Sequence, residues 1–242
     1  MAEFELSSGI IESAQKVLIY GQHGIGKTTL AAQMPGAVLI DVEGGSGHID
    51  CTRYPRPKTW QELRYMVADA IKRLEPGSTL VIDSADWAER LATEHVCREH
   101  NVESIEGIGW GKGYVYVADE FKRLLQGLNM LIDKGVNVVL VAHDQIGRFD
   151  RPDEQSSYSV YGLKLSKHVA PLVKEWADAV LFCRYREYVT KTADGKAKAV
   201  GGGERVIQCT HTATIDAKNR WGIDGEVPMT AETIVEHLKK GD

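Results

Sequence analysis

Thirteen residues near the start of the chain constrain it more than any other stretch: Val17 to Thr29, VLIYGQHGIGKTT. Four apolar residues, Val17-Leu18-Ile19-Tyr20, read as a short buried strand. Gly21-Gln22-His23-Gly24-Ile25-Gly26-Lys27-Thr28 then satisfies every fixed position of G-x-x-x-x-G-K-[ST]. A helix is expected from Lys27 to about Met34, stopped by Pro35-Gly36. Strand, glycine-rich loop and helix are the context in which backbone N–H groups converge on phosphate oxygens. The helix N-terminus adds partial positive charge. Lys27 is expected on the β- and γ-phosphates and the Thr28 hydroxyl on Mg²⁺, with Thr29 beside them. ATP and Mg²⁺ are the expected cofactors. A glycine-rich turn before a helix is the bland alternative.

The 242 residues suffice for one α/β domain, expected to span 1–242 with its core at about 16–235. A net charge of −5 announces no global basic field, so any nucleic-acid contact must come from local patches. Four scattered cysteines without a C-x-x-C pair read as reduced thiols of a cytosolic protein. No signal-peptide core and no membrane-length apolar run is visible, so no membrane partner is expected.

Further strands are expected at Ala37–Asp41, Ser78–Asp83, Val136–Ala142 and Ala179–Cys183, with helices between them. Thr59 and Glu62 fit a capping box that opens one helix. The alternation predicts a mostly parallel central sheet flanked by helices. Segments 187–190 and 204–210 alternate in strand fashion around a Lys/Gly-rich tip, and predict an antiparallel hairpin at one edge. Residues 144–168 are polar and carry few structure signals, so a long functional loop is expected there.

Ligands of open α/β sheets sit beyond the carboxyl ends of the strands. Asp83 is therefore expected to assist Mg²⁺. Glu43 is expected to polarise the attacking water, and Asp41 is a lesser candidate for the metal. His143 ends the fourth strand, where it can bond the γ-phosphate and report its loss to the following loop. Lys218 and Arg220 can stabilise transition-state charge, in their own subunit or a neighbour's. For each, a solvated turn or strand end is the alternative. Arg148, Arg151, Lys164 and Lys167 with Phe149, Tyr158 and Tyr161, and the basic residues of 184–205, have the types that grip single strands, though plain solvated surface explains them too.

The order of these motifs resembles the RecA-like ATPase core of recombinases and hexameric replicative helicases. GQHGIGKTTLA, DVEGG, GWGKGY, VVLVAH and AKNRWG are more similar still to short phage RecA-like proteins that assist single-strand annealing. The resemblance implies a RecA-like P-loop NTPase fold and DNA-stimulated ATP hydrolysis in annealing or recombination. It implies a homo-oligomer, ring or filament, with Lys218 and Arg220 reaching a neighbour's ATP. It implies single-stranded DNA as partner, through the segments around 105–113 and 144–165, with a single-strand-binding protein as a further partner. Such a phage protein works in the bacterial host cytosol. The chain departs from the recombinases in ending its fourth strand with His rather than Gln, and no N-terminal oligomerisation domain is expected. A helicase-like or loader ATPase acting on duplex DNA or a replication protein is the alternative, and a small-molecule kinase a lesser one.

Overall fold

A computed structural model describes residues 11–149, 158–191 and 197–238, with Leu6, Ser8 and Gly9. Strand β1 (Lys16–Gly21) leads into α1 (Lys27–Ala32), followed by β2 (Ala37–Asp41), the short β3 (Thr52–Arg53) and α2 (Trp60–Arg73). Then come β4 (Thr79–Asp83), α3 (Ala85–Glu99), α4 (Lys112–Lys134), β5 (Asn137–Phe149) and β6 (Tyr158–Leu163). The chain closes with α5 (Ala170–Trp176), β7 (Ala179–Lys191), β8 (Ala197–Gln208), β9 (Glu226–Pro228) and α6 (Ala231–Val235).

The sheet runs β3-β2-β4-β5-β1-β7-β8-β9, with β6 pairing β5 off this path. Strands β3 through β7 in that order pair in parallel, and β8 and β9 add antiparallel strands at one edge. The α/β architecture is the one expected. Parallel strands covered by helices on both faces carry continuous apolar runs. Along β1, Leu18 and Tyr20 enter the core under α2, α3 and α4, while Val17 and Ile19 enter the opposite core under α1 and α6. Thr59 caps α2, its hydroxyl accepting from the Glu62 N–H at 3.2 Å. The Glu62 carboxylate in turn accepts from the Lys58 N–H at 2.7 Å, one residue earlier than a capping box requires.

Two expectations need correction. The loop expected at 144–168 is largely a ribbon: β5 continues to Phe149, and β6 returns beside it from Phe149↔Tyr158 to Asp144↔Leu163. Its exposed start, Gln145-Ile146-Gly147, carries no buried stripe to mark it as strand. Nor is the late hairpin separate from the fifth core strand. β7 is one strand of 13 residues that begins beside β1 and ends paired with β8, with a register shift between Tyr185 and Glu187. The side chains of Arg148, Phe149, Arg151, Tyr158, Lys191, Lys196 and Lys198 lie outside the described residues.

Candidate nucleotide site

The loop after β1 is shaped by two glycines. Gly21 has φ +151°, and a Cβ there would lie 2.1 Å from the Cys183 carbonyl oxygen, so no side chain fits between β1 and β7. Gly26 has φ +105° and caps α1 in a left-handed conformation. Gln22, His23 and Gly24 form the exposed crest of the loop, Thr29 is exposed on the first turn of α1, and Ile25 anchors the loop in the core. Lys27 is buried, and its ammonium donates to the carbonyl oxygens of Gly21 and Gln22, each at 2.8 Å. Burial lowers its pKa from the ordinary value, against the opposing pull of Asp83.

Register sets which groups face this loop. Gly21 is level with His143 on β5, Val141 with Asp83 on β4, and Asp83 with Asp41 on β2. β5 lies between β1 and β4, so His143 rises at the cleft two residues beyond the level of Asp83. The Thr28 hydroxyl donates to Asp83 at 2.5 Å. Burial pushes the Asp83 carboxyl up to about 6, with Asp41 and Glu43 adding to the rise and Thr28 and Lys27 opposing it. A buried carboxylate touching a hydroxyl suits a hard, oxygen-seeking cation such as Mg²⁺.

Past β2 the chain folds back onto β4: the N–H groups of Val42 and Glu43 both donate to the Asp83 carbonyl, at 2.6 and 3.2 Å. Asp41 holds this turn. Its carboxylate accepts from the N–H groups of Gly44, Gly45 and Ser46 and from the Ser46 hydroxyl. Burial alone would raise its pKa, but these bonds bring it below the usual carboxylate value. Asp41 does not line the cleft, whereas Glu43 does. The Glu43 carboxylate lies 3.6 Å from His143 Nε2. On the other side of that ring, Nδ1 meets Asp86 Oδ2 at 2.9 Å, and the His143 N–H donates to Asp86 Oδ1 at 3.1 Å. The His23 ring lies against His143, centroids 4.1 Å apart.

These groups surround a cleft of about 360 Å³ lined by His23, Lys27, Thr28, Glu43, Asp83 and His143, and by a residue that the sequence did not single out, Arg205. Arg205 comes from β8, level with Tyr185 on β7, and its Nη1 lies 3.0 Å from where a Cβ of Gly26 would be. Nothing local marks it among the basic residues of 184–205. Lys218 and Arg220, by contrast, are not brought to this cleft. Lys218 forms an antiparallel bridge with Val180, near the start of β7, while the loop end of β1 is level with Cys183. Arg220 pairs with Asp178 at 3.2 Å and is 68% exposed. At about 3.3 Å per strand residue, both sit roughly 10 Å or more along the sheet from the loop.

Residues 13–221 match the family described as AAA domain. The chain belongs to that family of P-loop ATPases. The uncharacterized SPbeta prophage-derived protein YorG of Bacillus subtilis (strain 168) is 26% identical over 135 residues, covering 52% of this chain. The chain spans 40% of that relative's length. Membership in the AAA domain family supports a nucleotide-binding ATPase in general. Among the described residues no helix is long and apolar enough to cross a membrane.

Asp83 also makes this AAA domain sensitive to pH. Its folded pKa of about 6 lies above the unfolded value near 3.8, so the folded chain favours the protonated carboxyl. The Asp83 contribution to stability is full below pH ~4, falls as pH rises through 4 to 6, and is lower by about 3 kcal/mol at neutrality. Asp83→Asn is expected to raise the melting temperature of the nucleotide-free protein by several degrees at pH 7 and by little at pH 4. Thermal melts at both pH values check this, and an unchanged melting temperature at pH 7 contradicts it.

Proposed function

We propose that the chain is a Mg²⁺-dependent ATPase whose turnover is coupled to single-stranded DNA, and that it supports strand annealing or recombination as a homo-oligomer. The observation that carries the hydrolytic part is the convergence of Glu43, His143 and Arg205 on the phosphate loop. In this reading Lys27 and the loop N–H groups bind the β- and γ-phosphates, and Thr28 and Asp83 hold the metal. When bound, Mg²⁺ neutralises charge on the phosphate oxygens. Asp86 fixes His143 with Nε2 toward Glu43. Glu43, so oriented, takes the proton of the attacking water, and Arg205 stabilises charge on the transferring phosphoryl group.

The DNA part is supported by position. Trp110 lies between two glycines and is 99% exposed, with Lys112 close by. Tyr114, on the first turn of α4, stacks on His168, which follows the β5–β6 ribbon, at 6.0 Å. The end of the Gly-rich segment therefore adjoins the segment that follows the ribbon. His143 lies in the same strand as the ribbon's first half, which ties the γ-phosphate position to it. The prophage origin of the relative fits a phage replication or recombination setting. In this reading Lys218 and Arg220, distant from their own cleft, complete a neighbour's in a ring or filament.

Hydrolysis is expected to rise several-fold with single-stranded DNA and to rise per subunit with protein concentration. Equal mixtures of Lys27→Ala and Arg220→Ala, each inactive alone, are expected to recover part of the rate through interfaces that carry both intact residues. Rates indifferent to DNA and concentration would sink the proposal. Stimulation by duplex alone, with strand displacement, would instead support a helicase-like motor.

A further inference from the structure

The histidines at the cleft do more than line it. One ligand atom each of His23, Glu43 and His143 lies within 4.8 Å of the other two. Glu43 and His143 Nε2 are already 3.6 Å apart. Two ligands at 2.0–2.1 Å from a tetrahedral cation are separated by about 3.4 Å, so that edge is nearly formed. His23 is exposed on the loop crest, and its ring lies against that of His143, centroids 4.1 Å apart.

We propose that His23, Glu43 and His143 form a site for a borderline divalent cation of the Zn²⁺ class, separate from the Mg²⁺ position at Thr28 and Asp83. Two imidazoles and one carboxylate are a borderline donor set, whereas the hydroxyl and carboxylate of Thr28 and Asp83 are hard donors. A second observation points the same way. The carboxylate of Asp86 grips His143 Nδ1 from behind, which fixes the ring and leaves Nε2 toward the cleft. A carboxylate behind a histidine is the outer-shell arrangement that orients a ligating imidazole and raises its basicity. The carboxylates of Glu43, Asp83 and Asp86 offset the charges of Lys27 and Arg205. The fourth position opens onto the cleft, for water or a phosphate oxygen. Two of the cysteines are poor rivals as ligands, since burial pushes the Cys183 and Cys209 thiols up to about 12 and about 11.

A cation held there takes up the Glu43 lone pair needed for water activation, so the site acts as a brake on turnover. It does not require the chain to bind DNA, and binding is measurable without nucleotide. The test titrates the untagged full-length protein with Co²⁺ in excess Mg²⁺, reading visible ligand-field bands, and repeats it with Zn²⁺ against a chromogenic chelator. One equivalent of tight binding is expected. It should be abolished by His23→Ala, weakened 10–100-fold by Asp86→Asn, and unchanged by His95→Ala on α3, whose imidazole lies against Glu99 and not at the cleft. Zn²⁺ should suppress hydrolysis by the parent protein, and should not further suppress whatever rate His23→Ala retains. Binding weaker than millimolar, or tight binding that survives His23→Ala, overturns the site. If turnover in Mg²⁺ alone persists while Co²⁺ and Zn²⁺ fail to bind, this inference falls and the ATPase assignment stands.

Discussion

Arg205→Ala is expected to lower the single-turnover rate of ATP hydrolysis about 10³-fold while changing ATP affinity by less than about tenfold. The reasoning begins with β8. Its pairing with β7 brings position 205 level with Tyr185, beyond the end of β1, and carries the guanidinium over Gly26. Gly26 caps α1, directly before Lys27 and Thr28, so Arg205 borders the phosphate position from the side opposite Glu43. A guanidinium stays charged and can engage two oxygens at once. Charge in a phosphoryl-transfer transition state spreads over the equatorial oxygens, where an arginine is worth 10³–10⁵ in rate. A 10³-fold loss corresponds to about 4 kcal/mol of transition-state stabilisation. Arg205→Lys is expected to recover little, because an ammonium lacks the planar fork. Since Arg205 belongs to the same subunit as the loop, mixtures with the parent protein should fall in proportion to the mutant fraction. A full rate in Arg205→Ala would show that the guanidinium only packs against the loop.

Glu43→Gln is expected to cost 10²- to 10⁴-fold in hydrolysis with ATP still bound, the range for loss of a positioned general base. The backbone argues for this as much as the carboxylate does. Asp41 gathers four donors from the turn that follows it, and the Asp83 carbonyl takes two more from Val42 and Glu43. The Glu43 backbone is thus pinned to the end of β4, and its carboxylate lies 3.6 Å from His143 Nε2. The amide keeps the shape and removes the basic lone pair, so tight ATP binding without turnover is the signature, read by equilibrium binding beside a hydrolysis assay. A residual rate within twofold of the parent would remove Glu43 from the mechanism and leave it as part of the turn.

Much of the core and part of the cleft could be read from the chain before its fold was known, for physical reasons. The phosphate loop is encoded locally: a buried strand, glycines where a Cβ would collide, and a lysine and threonine at fixed spacing. Asp83 was readable because strand ends in a parallel sheet face the ligand side; His143 does not end its strand, but sits level with Gly21 where β5 leaves the parallel sheet and continues as the ribbon. Asp41 illustrates the limit of that rule. It ends a strand like Asp83 does, yet its oxygens turn inward to bind Gly44, Gly45 and Ser46, and sequence alone cannot say which of two neighbouring acids builds and which reaches. Arg205 was illegible because its place depends on the register of β8 past an irregularity in β7, a long-range property. The β5–β6 ribbon was missed because its exposed start, Gln145-Ile146-Gly147, has no buried stripe to impose alternation, and the return strand meets the core only near its end, at Tyr161 and Leu163.

One consequence of the strand order concerns how the protein comes into being. β1 sits between β5 and β7, so the strand that carries the phosphate loop finds its partners more than 120 and 160 residues later. Loop closure over such spans makes folding slow compared with local pairing. Arg205 arrives later still, on β8. A nascent chain that has emerged only as far as β5 therefore exposes a glycine-rich loop and a row of apolar strands with no finished nucleotide cleft. The polypeptide must be nearly complete, through β8, before the cleft has all its walls, so a ligand of that cleft can stabilise the finished fold but not its early intermediates.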